Sequence, residues 1–336
     1  MAKLYAERGP MRLIRDHVFL PCFAALALFS GTTDALGQSD SPITAETISI
    51  SMERDFIAGP FGQVHVRIAR PATKTQKPPL VLFHPTPYSS DYFVKFMQLM
   101  AADRVVIAID TPGYGDSDRP KELQSIEGYA GSAAAVLTAM GYGNKQKQPV
   151  DILGYHTGTL IATELAIRHP DLVRRLVLPG LPFFTGEKRK EAYKANAKPE
   201  PVTSDGSHLN KKWEFATAAT DVGMPLERAQ AHFNDLMQCY PHCWEAYHGV
   251  FTYPSENRFP AVQQPVLLVT NDGSLKQETG AALPLFPDAQ LMHISGVTLG
   301  GFDLAPEKYI ALIRPFLDGE LDKKMHSGRE ISDGRK

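Results

Sequence analysis

Between a short stretch that reads as a strand, Val150 to Leu153, and a stretch of helical spacing, Thr159 to Arg168, stand Gly154-Tyr155-His156-Thr157-Gly158. Two glycines four apart let a chain turn sharply from strand into helix. Such a turn holds the residue midway between them in a strained conformation, its side chain out above the strand end. That residue is His156. An imidazole with an unperturbed pKa of about 6.5 is largely unprotonated at neutral pH, so it can attack a carbonyl carbon or take a proton from water without a partner base. A helix starting at Thr157 points its positive end at the ring and is expected to lower that pKa further. A side chain at positive φ costs about 1 to 2 kcal/mol that glycine would avoid, which argues that the imidazole has a use. The competing reading is a position that tolerates His in a protein that binds a ligand without turning it over.

Other residues could share such chemistry. His84 follows an apolar run, Leu80 to Phe83, and could stand near His156 as an acid/base group or a metal ligand. A loop histidine satisfied by backbone hydrogen bonds is the commoner arrangement. Asp303 adds a carboxylate after the last strand. Cys239 and Cys243 lie four apart around Pro241 and could pair in an oxidising compartment. A metal site using His242 or His248 lacks a four-ligand spacing, and no metal or other cofactor is expected.

The elements that must position these groups alternate. Apolar strands at Leu80 to Phe83, Val105 to Ile109, Val150 to Leu153 and Val173 to Leu178 are separated by helical stretches at Asp91 to Ala102, Ile126 to Met140 and Thr159 to Arg168. Short, mainly apolar strands alternating with amphipathic helices predict a parallel sheet covered on both faces. Two further strands between Ile43 and Arg70 precede them. The alternation stops after Leu181, and residues 183–260 predict helices around Trp213 to Ala219, Leu226 to Met237 and Trp244 to Gly249 with no buried strand. Aromatic residues there, Trp213, Trp244, Tyr247 and Phe251, line a pocket or pack the segment onto its core. Strands resume at Val266 to Thr270 and Gln290 to Ile294, and a helix from Pro306 to Leu317 closes the domain.

In order and context, three motifs resemble the α/β-hydrolase fold family in its esterase, epoxide hydrolase and carbon–carbon hydrolase branch. His84-Pro85-Thr86-Pro87 is similar to the family's His-Gly-x-Pro oxyanion loop. Asp110-Thr111-Pro112-Gly113-Tyr114-Gly115-Asp116-Ser117 is similar to its D-x-P-G-x-G-x-S loop, with Asp110 and Ser117 in turn and capping roles. The Gly154 to Gly158 turn stands where the family has its nucleophile elbow, G-x-S-x-G. The resemblance covers nearly everything after the N-terminal leader except residues 183–260. It implies a mostly parallel sheet with helices on both faces and a helical cap insertion. It also implies an oxyanion hole made by the backbone N–H groups of Thr86 and Thr157, and an acid at Asp272, after the strand ending at Thr270. The chain departs from the family twice. His156 replaces the elbow serine, and Ser295 to Pro306, where the family keeps its catalytic histidine, contains none. A neutral imidazole at the elbow needs no downstream histidine, so the two departures agree with each other.

With 35 Lys+Arg against 37 Asp+Glu in 336 residues, the chain has no excess of charge to recruit nucleic acid. Lys3, Arg8, Arg12 and Arg15, then the apolar run Val18 to Phe29, then Ala35 and Gly37 predict a signal peptide over residues 1–37. The mature chain is then expected to begin near Gln38 and to be secreted or periplasmic, with the cytoplasm as the alternative and no membrane span after leader removal. The organisation expected is a core of residues 45–182 and 261–320, a helical cap over 183–260, and a flexible tail over 321–336. The function expected is cleavage of a small carbonyl or ester compound by His156 as nucleophile or general base, with Asp272 as its partner. The alternatives are a non-catalytic ligand-binding protein and a cofactor-free lyase or oxygenase.

Overall fold

The structure is a computed structural model that describes residues 50–143, 149–218 and 223–321. The predicted leader, and the predicted tail beyond Leu321, lie outside the described residues. Strands β1 (Ser51–Gly59) and β2 (Gly62–Arg70) form a hairpin, followed by β3 (Leu80–Phe83), α1 (Val94–Met100), β4 (Val106–Ile109), α2 (Ile126–Ala139), β5 (Val150–Gly154), α3 (Thr157–Arg168) and β6 (Val173–Pro179). Five helices come next: α4 (Gly186–Asn196), α5 (Ser207–Ala218), α6 (Leu226–Cys239), α7 (Glu245–Thr252) and α8 (Ser255–Arg258). After these come β7 (Val266–Thr270), α9 (Lys276–Ala282), β8 (Ala289–His293), α10 (Gly301–Leu304) and α11 (Pro306–Leu317).

The strands make one eight-stranded sheet in the order β1-β2-β4-β3-β5-β6-β7-β8, antiparallel at β1, β2 and β4 and parallel from β4 to β8. Alternate residues of each central strand feed opposite faces, as the pleat requires. Val81, Phe83, Ile107, Ile109, Ile152, Leu176 and Leu268 pack on α2 and α3. Leu80, Leu82, Val106, Leu153, Val177 and Leu267 pack on α1 and α11 through Phe96, Met100, Ile313 and Phe316. A strand buried on both faces favours apolar residues, unbroken in β3 and β4, while β5 and β6 interrupt the run with Asp151 and Arg174, which pair with each other. The helix predicted from Asp91 opens instead as a 3-10 turn, Ser90–Phe93, before α1 begins.

Helices α4 to α8 contain no strand between them among the described residues, and α6 and the start of α7 are bonded to the loops that follow β3 and β4. Ser89 Oγ donates to Asp235 Oδ1 on α6 at 2.9 Å, and the Tyr114 hydroxyl donates to Cys243 O while accepting from Ala246 N. Cys239 and Cys243 are joined by a disulfide between α6 and α7. No helix among the described residues is long and apolar enough to cross a membrane.

The loop after β4 is organised by Asp110. Its buried carboxylate accepts from Ser90 N, Asp116 N and His65 Nδ1, and Ser117 Oγ donates to its carbonyl. Burial works to raise its pKa, but the His65 bond, the nearby His84 and His65 rings and the Asp116 N–H outweigh it and hold the pKa down. His65, Asp110 and Asp116 have possible ligand atoms within 4.8 Å of one another, but Arg54 binds both His65 and Asp116 and supplies the positive charge itself.

Candidate active site

The turn from β5 into α3 is built by exclusion. A Cβ on Gly154 would lie 2.1 Å from the carbonyl oxygen of Gly158, and one on Gly158 would lie 2.1 Å from that of Phe83. Between them His156 adopts φ 48° and ψ −114°, the one positive φ of a non-glycine residue among those described. Tyr155 N donates to Phe83 O and His156 N to Pro179 O, so the turn is stitched to both neighbouring strands. The His156 carbonyl starts the helix, accepting from the backbone and the hydroxyl of Thr159. Sheet and helix together supply the hydrogen bonds that sustain the strain.

The imidazole opens on a cleft with two lobes. One, of about 360 Å³, is bordered by Tyr88, Tyr155, Asn271, Thr298 and Leu299. The other, of about 240 Å³, is bordered by Thr157, Phe184, Val250, Phe251 and Leu275. Thr86, His156, Tyr247 and Ser274 border both. No Asp, Glu, Lys or Arg lines either lobe among the described residues. The Thr86 and Thr157 N–H groups beside His156 donate to no other described residue. The Tyr247 hydroxyl donates to the Thr86 carbonyl at 3.1 Å and steadies that loop.

Burial in this cleft lowers the His156 pKa to about 4, so the ring is neutral at physiological pH. Desolvation takes the part that the sequence assigned to the helix terminus. The imidazole has no hydrogen-bond partner among the described residues; Tyr155 packs against it with ring centroids 4.3 Å apart.

The expected partners of His156 are placed elsewhere. Asp272 is half exposed, and its carboxylate accepts from Gly296 N at 2.8 Å and Lys276 Nζ at 3.1 Å, with His293 Nε2 at 3.3 Å. These N–H donors, Gly296 first, lower its pKa, and no bond joins it to His156. The residue before it, Asn271, faces the cleft and donates to Thr298 O and the Tyr309 hydroxyl. Asp272→Asn is therefore expected to leave the rate within about twofold of the wild type, as for a solvent-screened surface pair. A tenfold loss in steady-state turnover would show that the carboxylate does reach the ring.

His84 is buried with both ring nitrogens occupied. Nδ1 faces the Pro85 carbonyl at 3.0 Å and Nε2 accepts from Thr111 N at 2.9 Å, so it pins two loops together and offers neither acid/base nor metal chemistry. Asp303 sits beneath α6, where it accepts from Arg228 Nε at 2.8 Å and faces His232 Nε2 at 3.4 Å. It ties α6 to the core and has no contact with His156.

The loop after β8 brings Thr298 and Leu299 to the cleft wall where the sequence lacks a histidine, and the Leu299 carbonyl accepts from the Tyr92 and Tyr155 hydroxyls. Tyr88, Tyr155, Asn271 and Ser274 belong to the site and carry no sequence signal beyond adjacency to the motifs. Of the aromatics singled out in 183–260, Tyr247 and Phe251 line the cleft, joined there by Phe184 and Phe215. Trp213 packs edge-on against Phe233 on α6.

A mostly parallel sheet with a strained strand-to-helix turn defines the α/β-hydrolase class. The chain belongs to the α/β-hydrolase fold family, whose sequence model matches residues 78–296. The esterase RhEst1 from Rhodococcus sp. ECU1013 superposes with a TM-score of 0.64 at 22% identity, over 79% of this chain and 98% of that one. The epoxide hydrolase VrEH1 from Vigna radiata gives 0.65 at 15% identity, over 80% and 98%. Likeness at these identities is likeness of fold. By sequence, 85 residues are 41% identical to 2-hydroxymuconate semialdehyde hydrolase from Pseudomonas sp. (strain CF600), 25% of this chain and 28% of that protein. A further match, 24% identical over 169 residues, is to proline iminopeptidase from Heyndrickxia coagulans, 50% of this chain and 57% of that protein. The chain thus matches between about a quarter and just over half the length of these curated relatives.

Proposed function

We propose that the protein hydrolyses a small uncharged ester or carbonyl compound, with His156 as the reacting group and residues 183–260 as a cap over the cleft. The observation that carries this reading is an unpartnered neutral imidazole, held at a strained turn, beside two N–H groups without internal acceptors. The absence of charged side chains from both lobes among the described residues favours an uncharged substrate, because a buried ion there would have no counter-charge.

The low pKa keeps the lone pair unprotonated down to mildly acid pH and weakens the ring as a base and as a nucleophile alike; its place at the elbow, where the family carries a nucleophile, favours nucleophilic attack. The free ring nitrogen adds to the carbonyl carbon, and the electron pair moves to the carbonyl oxygen under the N–H groups of Thr86 and Thr157. Collapse breaks the bond to the leaving alkoxide, which takes up the proton released from the other ring nitrogen through water. Water then adds to the acyl-imidazole, the acid departs, and the neutral ring is restored. The low basicity of this ring makes it a good leaving group in the second step. The Cys239–Cys243 disulfide supports an oxidising compartment, in keeping with export through the predicted leader.

The pH dependence tests this reading. Turnover of a neutral ester such as p-nitrophenyl acetate, followed by product chromatography with the uncatalysed rate subtracted, should stay level from about pH 8 to about pH 5. It should fall below that as the ring, with its pKa near 4, takes up a proton. No turnover above background of any neutral ester would favour the ligand-binding reading. An acid limb centred near 6.5 would place the reaction on a solvated imidazole.

A further inference from the structure

We propose that Gly180 is a positioning residue for His156: its missing side chain leaves the space the imidazole occupies, and any Cβ there forces the ring out of its reactive placement. Gly180 follows β6 at φ 63°, and a Cβ built on it would lie 2.5 Å from His156 Cδ2, 2.8 Å from Nε2 and 3.2 Å from Tyr155 Cε2. The backbone cannot retreat to make room. Gly180 N donates to Val269 O on β7, and His156 N donates to the carbonyl of the preceding residue, Pro179. The ring cannot rely on hydrogen bonds either, because it has no partner among the described residues. Two packing contacts therefore fix it, one with the Tyr155 ring and one with the bare Gly180 Cα. In a site with no downstream histidine to hold the nucleophile by a hydrogen bond, steric confinement takes over that task.

The catalytic part of this inference rests on the role proposed for His156, whereas the positional part can be measured without turnover. Gly180→Ala adds both a clash and the strain of positive φ. Gly186, at φ 55° with nothing within 4 Å of a built Cβ, offers the same strain without a clash. Gly186→Ala is therefore the control. In unfolding experiments Gly180→Ala should lower stability more than Gly186→Ala does in the wild-type background. In the His156→Ala background, where the ring is gone, the excess should largely disappear. The cycle remains readable even if Gly180→Ala alone is too unstable for kinetics. Where it folds, NMR titration of His156 should move up from about 4 toward the unperturbed value of about 6.5 as the ring swings into the cleft. Its kcat should fall about tenfold or more with KM nearly unchanged, and the acid limb of the rate should move to higher pH with the ring. An excess cost of Gly180→Ala that is the same with and without the imidazole, or an unmoved His156 titration, would overturn the proposal. A shifted titration with an unchanged rate would keep Gly180 as the ring's positioner and overturn the catalytic role of His156.

Discussion

His156→Ala is expected to lower turnover of a neutral ester by about 100-fold or more, the scale seen when a positioned nucleophile or base is removed. The substitution should not cost the fold. The residue sits at a positive φ with its ring held only by packing, and alanine keeps the N–H that donates to Pro179 and the carbonyl that starts α3. His156→Ser should fail to restore activity even though it supplies the elbow residue common in the family. A serine hydroxyl needs a base to take its proton. The described structure offers none: His84 has both nitrogens engaged, and His293 lies on β8 among Thr270, Lys276 and Asp272. A Ser variant as active as the wild type would mean that the cleft contains a base this geometry does not identify. Full activity in the Ala variant would place the chemistry away from the elbow.

How much of this site could be read from the sequence depended on whether a residue's role is set by its neighbours along the chain or across the fold. The central strands were readable because burial on both faces leaves little room for polar residues, as in Leu80–Phe83 and the first four residues of Val266–Thr270. The elbow was readable because its glycines are demanded by contacts within a strand-turn-helix unit and its adjoining strand. By contrast, α4 has no buried residue and hence no apolar stripe, and its Lys- and Glu-rich sequence gave no helical signal.

Asp272 illustrates the limit at single-residue scale. Neighbouring residues at a strand end point in different directions, and only the pairing of β7 with β8 and the bond from Asp272 N to Val297 O decide that Asn271 faces the cleft. Asp303 was correctly placed beyond the last strand, but its partners Arg228 and His232 come from a helix some seventy residues earlier. Gly180 was invisible for the same reason, since its significance lies in what stands across from it.

Gly158→Ala should destabilise the protein by about 3 kcal/mol, at the upper end of the usual cost of a single substitution. Helix propensity alone predicts the opposite sign, because alanine is better than glycine inside a helix by about 1 kcal/mol. The reversal comes from Phe83. The added Cβ would lie 2.1 Å from its carbonyl oxygen and 2.7 Å from its carbonyl carbon, both backbone atoms of a central strand that no rotamer change can move. Relief requires α3 to draw away from β3, which breaks the 2.9 Å bond from Tyr155 N to Phe83 O and opens the apolar contacts beneath it. Overpacking and a lost buried hydrogen bond each cost about 1 to 3 kcal/mol, so together they exceed the propensity gain several-fold. Gly131 provides the contrast, since it lies within α2 with nothing within 4 Å of a built Cβ. There the same substitution should raise stability by about 0.5 to 1 kcal/mol. Denaturant unfolding of both variants, with midpoints compared at equal slope, reads the two signs side by side. A Gly158→Ala midpoint close to the wild type would mean that the turn has room to spare, and with it that His156 is not held by the tight passage of α3 over β3.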